Sequence, residues 1–175
     1  DPADAHNFYR WQADGIFEYF SITDFSDIKQ CWAPLNRLEH RITLADDLHF
    51  NGKTFRQFVC IVPYDRPTMF LVKLRQQSYT VDAYRFWEQS ASQQTATGSL
   101  FDPPPAPIRG NVTNDADATD RALGYFGASS LVKFELLMNR TKASGGVAPA
   151  PYKQPRPGDC RTQEPLATNI KPDGF

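Results

Sequence analysis

The pattern of apolar and polar positions along the chain predicts a mainly β protein with one long helix. Residues 6 to 23, HNFYRWQADGIFEYFSIT, carry aromatic and β-branched side chains on both sides of Gly15. This is strand chemistry, with a bulge or turn expected at Asp14 and Gly15. The polar run DFSDIKQCWAP reads as a connection that presents Cys31 and Trp32. Leu38, His40, Ile42 and Leu44 then alternate, and the run closes on Asn51 and Gly52, a hairpin-turn signal. KTFRQFVCIVPY reads as the returning strand, so residues 38 to 62 are expected to form a strand, a loop and a strand. A turn at Asp65, Arg66 and Pro67 leads into MFLVKLRQQSYT, whose alternation sets Phe70, Val72 and Leu74 against Leu71, Lys73 and Arg75.

Thr80 is a predicted N-cap, with Asp82 placed to complement the helix dipole. Val81, Tyr84, Trp87 and Ala91 recur at helical spacing. The spacing predicts an amphipathic helix over 81–95, apolar on that stripe and wet at Glu88, Gln89, Gln93 and Gln94. Gly98 is expected to end it. Prolines 103, 104, 105 and 107 exclude both helix and central strand, so LFDPPPAPI reads as an extended strap. A polar loop, NVTNDADATDRA, separates it from LGYFGASSLVKFELLMN, a last long strand with Gly124 and Gly127 marking a bulge or a tight approach. Beyond Thr141, Gly, Pro and Ala dominate; this tail reads as coil, held by Cys160 and the final KPDGF or not held at all. The expected architecture is an antiparallel β-sandwich over residues 1–140, with the helix and the proline-rich strap packed on it, and a proline- and glycine-rich tail over 141–175.

Composition narrows the class. At 175 residues the chain is long enough for one domain with its own core. A formal net charge of -1 with 41% hydrophobic residues excludes a basic nucleic-acid binder and a disordered acidic chain. The 13% aromatic content suits half-buried pleated surfaces. The chain opens on DPADAHNFYRW, without an initiating Met or a signal peptide, and is expected to be a processed product or part of a longer protein. Of the three cysteines, Cys60 sits in the strand-like FRQFVCIV and reads as a buried small hydrophobe. Cys31 and Cys160 remain, and pair if the compartment is oxidising.

Candidate chemistry is thin. His40 and His49 flank Asp46 and Asp47, raw material for a metal or acid/base site, but no zinc-motif spacing is present and the histidines also read as strand residues. Asp115, Asp117, Thr119 and Asp120 alternate oxygen ligands, yet the glycine and the glutamate of an EF-hand loop are missing and Phe126 stands where the glutamate belongs, which leaves a solvated acidic turn. Ser129 and Ser130 follow GYFGA, which is not a nucleophile elbow, and Cys31 has neither a nearby His nor a helix start to activate it. Asn111 and Asn139 open glycosylation sequons, a pattern frequent by chance. No catalytic, cofactor or metal residue is expected. The aromatics Phe8, Tyr9, Trp11, Phe17, Tyr19 and Phe20 are candidates either for a core between two sheets or for an exposed binding patch.

NFYRW, QCWAP, YTVDAYRFWE, TGSLFDPPPAPIRGNV and LGYFGASS in this order, with Cys160 in the tail, resemble the domain-of-unknown-function group 4249, lipoproteins of Bacteroidota exported to the outer membrane and often encoded beside TonB-dependent receptors. The resemblance covers most of the chain. It implies a cell-surface accessory subunit of a TonB-dependent outer-membrane barrel or another outer-membrane complex, with no catalytic residues. It also implies a longer protein, with a lipid anchor and an immunoglobulin-like β-domain on a missing N-terminal part, and a β-sandwich whose strands begin there. The strap residues Phe101, Asp102, Pro103, Pro104 and Pro105 are the candidate recognition element, and an exported location suits a Cys31–Cys160 bond. Two other classes stay open: a secreted hydrolase or carbohydrate-binding domain built on the His40, His49, Asp46 and Asp47 cluster, and a purely structural surface protein in a larger assembly.

Overall fold

A computed structural model describes residues 6–24, 27–36, 38, 41–48, 50, 52–65, 67–95, 107–117, 124–140 and 157–175. Its elements in chain order are β1 (Phe8–Asp24), β2 (Asp27–Leu35), β3 (Thr43–Asp46), β4 (Met69–Tyr79), α1 (Val81–Thr95), β5 (Leu131–Asn139) and the short α2 (Cys160–Gln163). The five strands form one sheet in the order β2-β1-β4-β5, with β3 also paired to β1. The protein is thus mainly β with one long helix. The second sheet of the expected sandwich is not among the described residues.

The chain divides into two compact units. The first comprises Asp1–Gln12, His40–Val59 and Arg75–Val132; the second comprises Ala13–Glu39, Cys60–Leu74 and Lys133–Phe175.

In the first unit, β3 runs antiparallel to the start of β1, from Phe8 opposite Asp46 to Trp11 opposite Thr43. Helix α1 spans the predicted residues and packs beside β3. Thr80 caps it: its hydroxyl accepts from the Ala83 N–H (3.4 Å) and its carbonyl from the Tyr84 N–H (2.9 Å). The buried helix position is Ala83, while Val81, expected in the apolar stripe, is exposed. Aromatic side chains fill this unit. Phe8 meets Tyr84 at 4.8 Å between centroids, the Arg10 guanidinium lies 3.6 Å over the Trp87 ring, and Phe50 stacks on Phe55 at 4.5 Å.

The expected strand over residues 53 to 62 does not form. The chain does reverse near Gly52, with the Lys53 N–H bonded to the Phe50 carbonyl (2.7 Å). Phe55 then packs against Phe50 and Trp11, and residues 54 to 64 continue without strand pairing. Phe58 and Ile61 are exposed there, and Cys60, outside the disulfide, is half-buried, not the buried hydrophobe expected.

In the second unit β1 pairs antiparallel with β2, from Gly15 opposite Leu35 to Asp24 opposite Asp27, with a register irregularity between Ile22 and Asp24. Residues 27 to 34 of the expected connection, 24 to 34, are therefore part of a strand. Pairing to β1 overrides its polar composition, and Pro34 is tolerated because β2 ends the sheet order. Ala13, Gly15, Phe17, Tyr19 and Ser21 share one face of β1 and are all buried, the two-residue period of a strand with one covered side. Gly15 makes no turn. It lies inside the strand because the Phe70 ring occupies the space a side chain would need: a Cβ there would run into Phe70 Cζ.

Arg140, only 3% exposed, closes this core. Its Nε donates to the Thr68 carbonyl (3.0 Å), Nη1 to the Pro63 carbonyl (2.7 Å) and to Asp65 (3.1 Å), and Nη2 to the Thr68 hydroxyl (3.1 Å). Its guanidinium sits 4.9 Å from the centre of the Phe70 ring. On the other face of β1 the buried Glu18 carboxylate accepts from the Met69 N–H (3.0 Å) and from the Gln30 amide.

The C-terminal segment from residue 157 onward is docked. The Gly158 N–H bonds to the Ile22 carbonyl (2.9 Å), Trp32 and Thr168 exchange two backbone hydrogen bonds of 2.9 Å, and Phe175 packs edge-on against Trp32.

Candidate interaction surface

Cys31 and Cys160 are joined by a disulfide, with Cα atoms 5.7 Å apart and both residues buried. Strand pairing places Cys31 opposite Tyr19, and the Tyr19 hydroxyl donates to the Cys160 carbonyl (2.5 Å). Asp159 caps α2 by accepting from the Cys160 N–H (2.7 Å). A buried bond of this kind is consistent with an extracytoplasmic compartment.

Of the four residues of the candidate hydrolytic cluster, the described part of the chain holds Asp46 and Asp47. His40 and His49 lie outside it. Asp46 accepts from the Leu48 N–H (3.3 Å). Asp47 is buried, and Asn7 holds both of its oxygens, through the backbone N–H (2.7 Å) and the side-chain amide (2.9 Å). Burial alone would raise this carboxyl; the Asn7 hydrogen bonds and the nearby His6 outweigh it and hold the pKa below its ordinary value. The same neighbourhood raises the Tyr9 phenol, through burial first and the Asp47 charge second. Asp47 is thus a structural carboxylate that ties the start of β1 to the end of β3.

Asp115 and Asp117 are exposed, and the turn beside them is closed by Asn114 accepting from the Ala116 N–H (2.9 Å); Thr119 and Asp120 lie outside the described residues. Among the described residues no three His, Cys, Asp or Glu side chains gather as a metal set, and no helix is long and apolar enough to cross a membrane. Asn111, the first sequon asparagine, is engaged on both sides of its amide: it accepts from the Phe126 N–H (2.8 Å) and donates to the Phe126 carbonyl (2.6 Å). Gly124 in the same region has φ +113°, and a Cβ on Gly110 would collide with its carbonyl oxygen, so the tight approach expected at Gly124 is present. The strap residues Phe101, Asp102, Pro103, Pro104 and Pro105 lie outside the described residues. Of the aromatics at the start of the chain, Tyr9, Phe17 and Tyr19 are core, Phe8 and Trp11 are half-buried, and Phe20 is exposed.

The surface feature that stands out is β5. It ends the sheet order beside β4, and its relative exposures are 45% at Leu131, 64% at Val132, 57% at Phe134, 47% at Leu136 and 37% at Leu137. Five large apolar side chains in nine residues therefore meet water on both faces of one strand. The Ser78 N–H bonds to the Ser130 carbonyl (3.1 Å), and Lys73 pairs with Glu135 (3.5 Å), which fixes the alignment of β5 along β4. The signal for this exposure is in LVKFELLMN itself: apolar residues at both odd and even positions are the pattern of a strand covered on both sides.

The family model for a domain of unknown function, DUF4249, matches residues 1–135. The chain belongs to the DUF4249 family. The match takes in β1 to β4, α1 and the first half of β5. The rest of β5, Arg140 and the docked C-terminal segment lie beyond it, so the disulfide joins a cysteine inside the DUF4249 match to one outside it. The chain has no significant match among curated proteins or among solved structures.

Proposed function

We propose that this DUF4249 chain is a non-enzymatic cell-surface accessory subunit of a TonB-dependent outer-membrane transporter or a related outer-membrane complex, acting through protein or ligand binding. The observation that carries the reading is β5. A strand with Leu131, Val132, Phe134, Leu136 and Leu137 in water on both faces is the surface of a subunit awaiting assembly, since contiguous exposed apolar patches mark interaction sites. The buried disulfide agrees with an exported protein, and the resemblance supplies the outer-membrane setting. A lipid anchor on a preceding segment would hold the chain at the membrane, and a further sheet would complete a sandwich. The proline-rich run 101–105 is the proposed element that meets the transporter.

The test is affinity capture from native outer membranes in mild detergent, with the tagged chain as bait and the recovered proteins quantified by mass spectrometry. A TonB-dependent barrel recovered in near-equal amount is the expected result. Recovery of the chain without any outer-membrane protein overturns the reading.

A further inference from the structure

We infer that β5 pairs with β5 of a second copy of this chain, antiparallel and about a two-fold axis at Phe134, so that one sheet runs through two molecules. This rests on the reading of the chain as an assembly subunit and names the partner for that strand.

Three observations converge. The first is the open edge: among the described residues β5 is the last strand of the sheet, and a long apolar edge strand is a template for another strand. The second is the direction of its backbone groups. Ser130 accepts from Ser78 of the β4 side, so the even positions of β5 address β4, and the odd positions 131, 133, 135 and 137 direct N–H and C=O to the open edge. A partner strand can bond there only in registers that set odd positions opposite odd positions.

The third observation selects among those registers. Lys133 and Glu135 are the two charged residues of LVKFELLMN. A two-fold axis at Lys133 sets two ammonium groups face to face, and one at Glu135 sets two carboxylates face to face, both unfavourable. An axis at residue 132 or 136 leaves both charges opposite uncharged residues. An axis at Phe134 sets Lys133 opposite the second copy's glutamate and Glu135 opposite its lysine, with Val132 facing Leu136 and Leu131 facing Leu137. Every residue from 131 to 137 then has a matching partner, through about eight backbone hydrogen bonds. Such a contact is isologous and closes as a dimer, using up the edge that would otherwise recruit further strands. Glu135 already contacts Lys73, so the paired charges form a short network across the seam.

The experiment is sedimentation velocity on the full chain over a concentration series. Wild type is expected to show a concentration-dependent monomer–dimer equilibrium. Lys133→Glu alone and Glu135→Lys alone each put like charges opposite one another twice per dimer and should weaken association roughly thirtyfold. An equimolar mixture of these two variants restores opposite charges at both positions and should dimerise as wild type does. Phe134→Cys in a Cys60→Ser background should form an interchain disulfide on oxidation, because a residue on the axis faces itself across a narrow, non-hydrogen-bonded pair. A wild-type chain that stays monomeric throughout, or a mixture no better than its parts, overturns the inference. If the monomer still captures an outer-membrane protein and Phe134→Lys abolishes that capture, β5 docks a different chain and the subunit reading stands. If Phe134→Lys changes neither association nor capture, both readings of β5 fall.

Discussion

Replacing Arg140 tests the account of the second unit's core most directly. Its guanidinium is the hydrogen-bond partner of the Thr68 and Pro63 carbonyls and lies against Phe70. Arg140→Ala leaves both carbonyls short of a donor; hydrogen bonds to charged groups contribute about 1.5–3 kcal/mol each, and the lost contact over the ring adds about 1 kcal/mol. The Thr68 hydroxyl still donates to the Glu18 carbonyl (2.5 Å), so it adds little to the loss. The exposed side of the Asp65 pair is screened and contributes little as well. The expected cost is about 4–6 kcal/mol, a fall of roughly 10–20 °C in Tm for a chain of this size. Urea and thermal unfolding followed by circular dichroism measure it. Arg140→Lys keeps the charge but cannot span four acceptors, so it should recover less than half of the loss. Arg140→Met fills the volume and bonds nothing, so it should remain close to the alanine variant. A methionine variant within about 1 kcal/mol of wild type would show that volume, not hydrogen bonding, makes Arg140 important, and the argument would be refuted.

Three further outcomes are expected. Replacing Cys31 and Cys160 together by serine should cost about 4–5 kcal/mol on the chain-entropy model for a loop this long, read from denaturant midpoints; an unchanged midpoint would mean that docking of the C-terminal segment alone holds the fold. Gly15→Val should destabilise by about 2–3 kcal/mol because its side chain meets the Phe70 ring, and Phe70→Leu in the same chain should relieve part of that cost. Asp47 has a folded pKa below its unfolded value, so its contribution is present above about pH 4 and is lost as pH falls through the folded pKa; Asp47→Asn should flatten the acid limb of stability against pH, and an unaltered acid limb would remove Asp47 from the account.

Much of the fold is legible along the chain wherever a local signal and the tertiary outcome agree. Thr80, Asp82 and the helical spacing place α1 at its observed bounds, aromatic and β-branched content places β1, and two-residue alternation places β4. The misreadings have a common physical cause: pairing partners are not visible in a single sequence. Residues 24 to 34 look like a connection because they are polar and turn-rich, yet β1 supplies the hydrogen bonds that make 27 to 34 part of a strand. KTFRQFVCIVPY looks like a strand, but Phe55 packs sideways onto Phe50 and Trp11, and no neighbouring strand pairs with the residues after it. Gly15 looks like a break because nothing local says that a phenylalanine 55 positions later needs its missing side chain. Buried Glu18 and Arg140 are illegible for the same reason, since a charged residue reads as solvated until its partners are known. The candidate surface is half legible: apolar residues at both parities of β5 call for cover on two faces, but only the sheet order shows that β5 is the outermost strand among the described residues.

The disulfide also constrains the history of the chain. Cys31 and Cys160 are 129 positions apart, and Cys60 lies between them. In a chain made and delivered from its N-terminus, Cys31 must wait as a thiol while Cys60 arrives first, so a premature Cys31–Cys60 bond is the nearest competitor until Cys160 emerges. The native bond is a late act of maturation, a seal that forms only once the C-terminal segment has been made, and in a product cut short before Cys160 it cannot form at all.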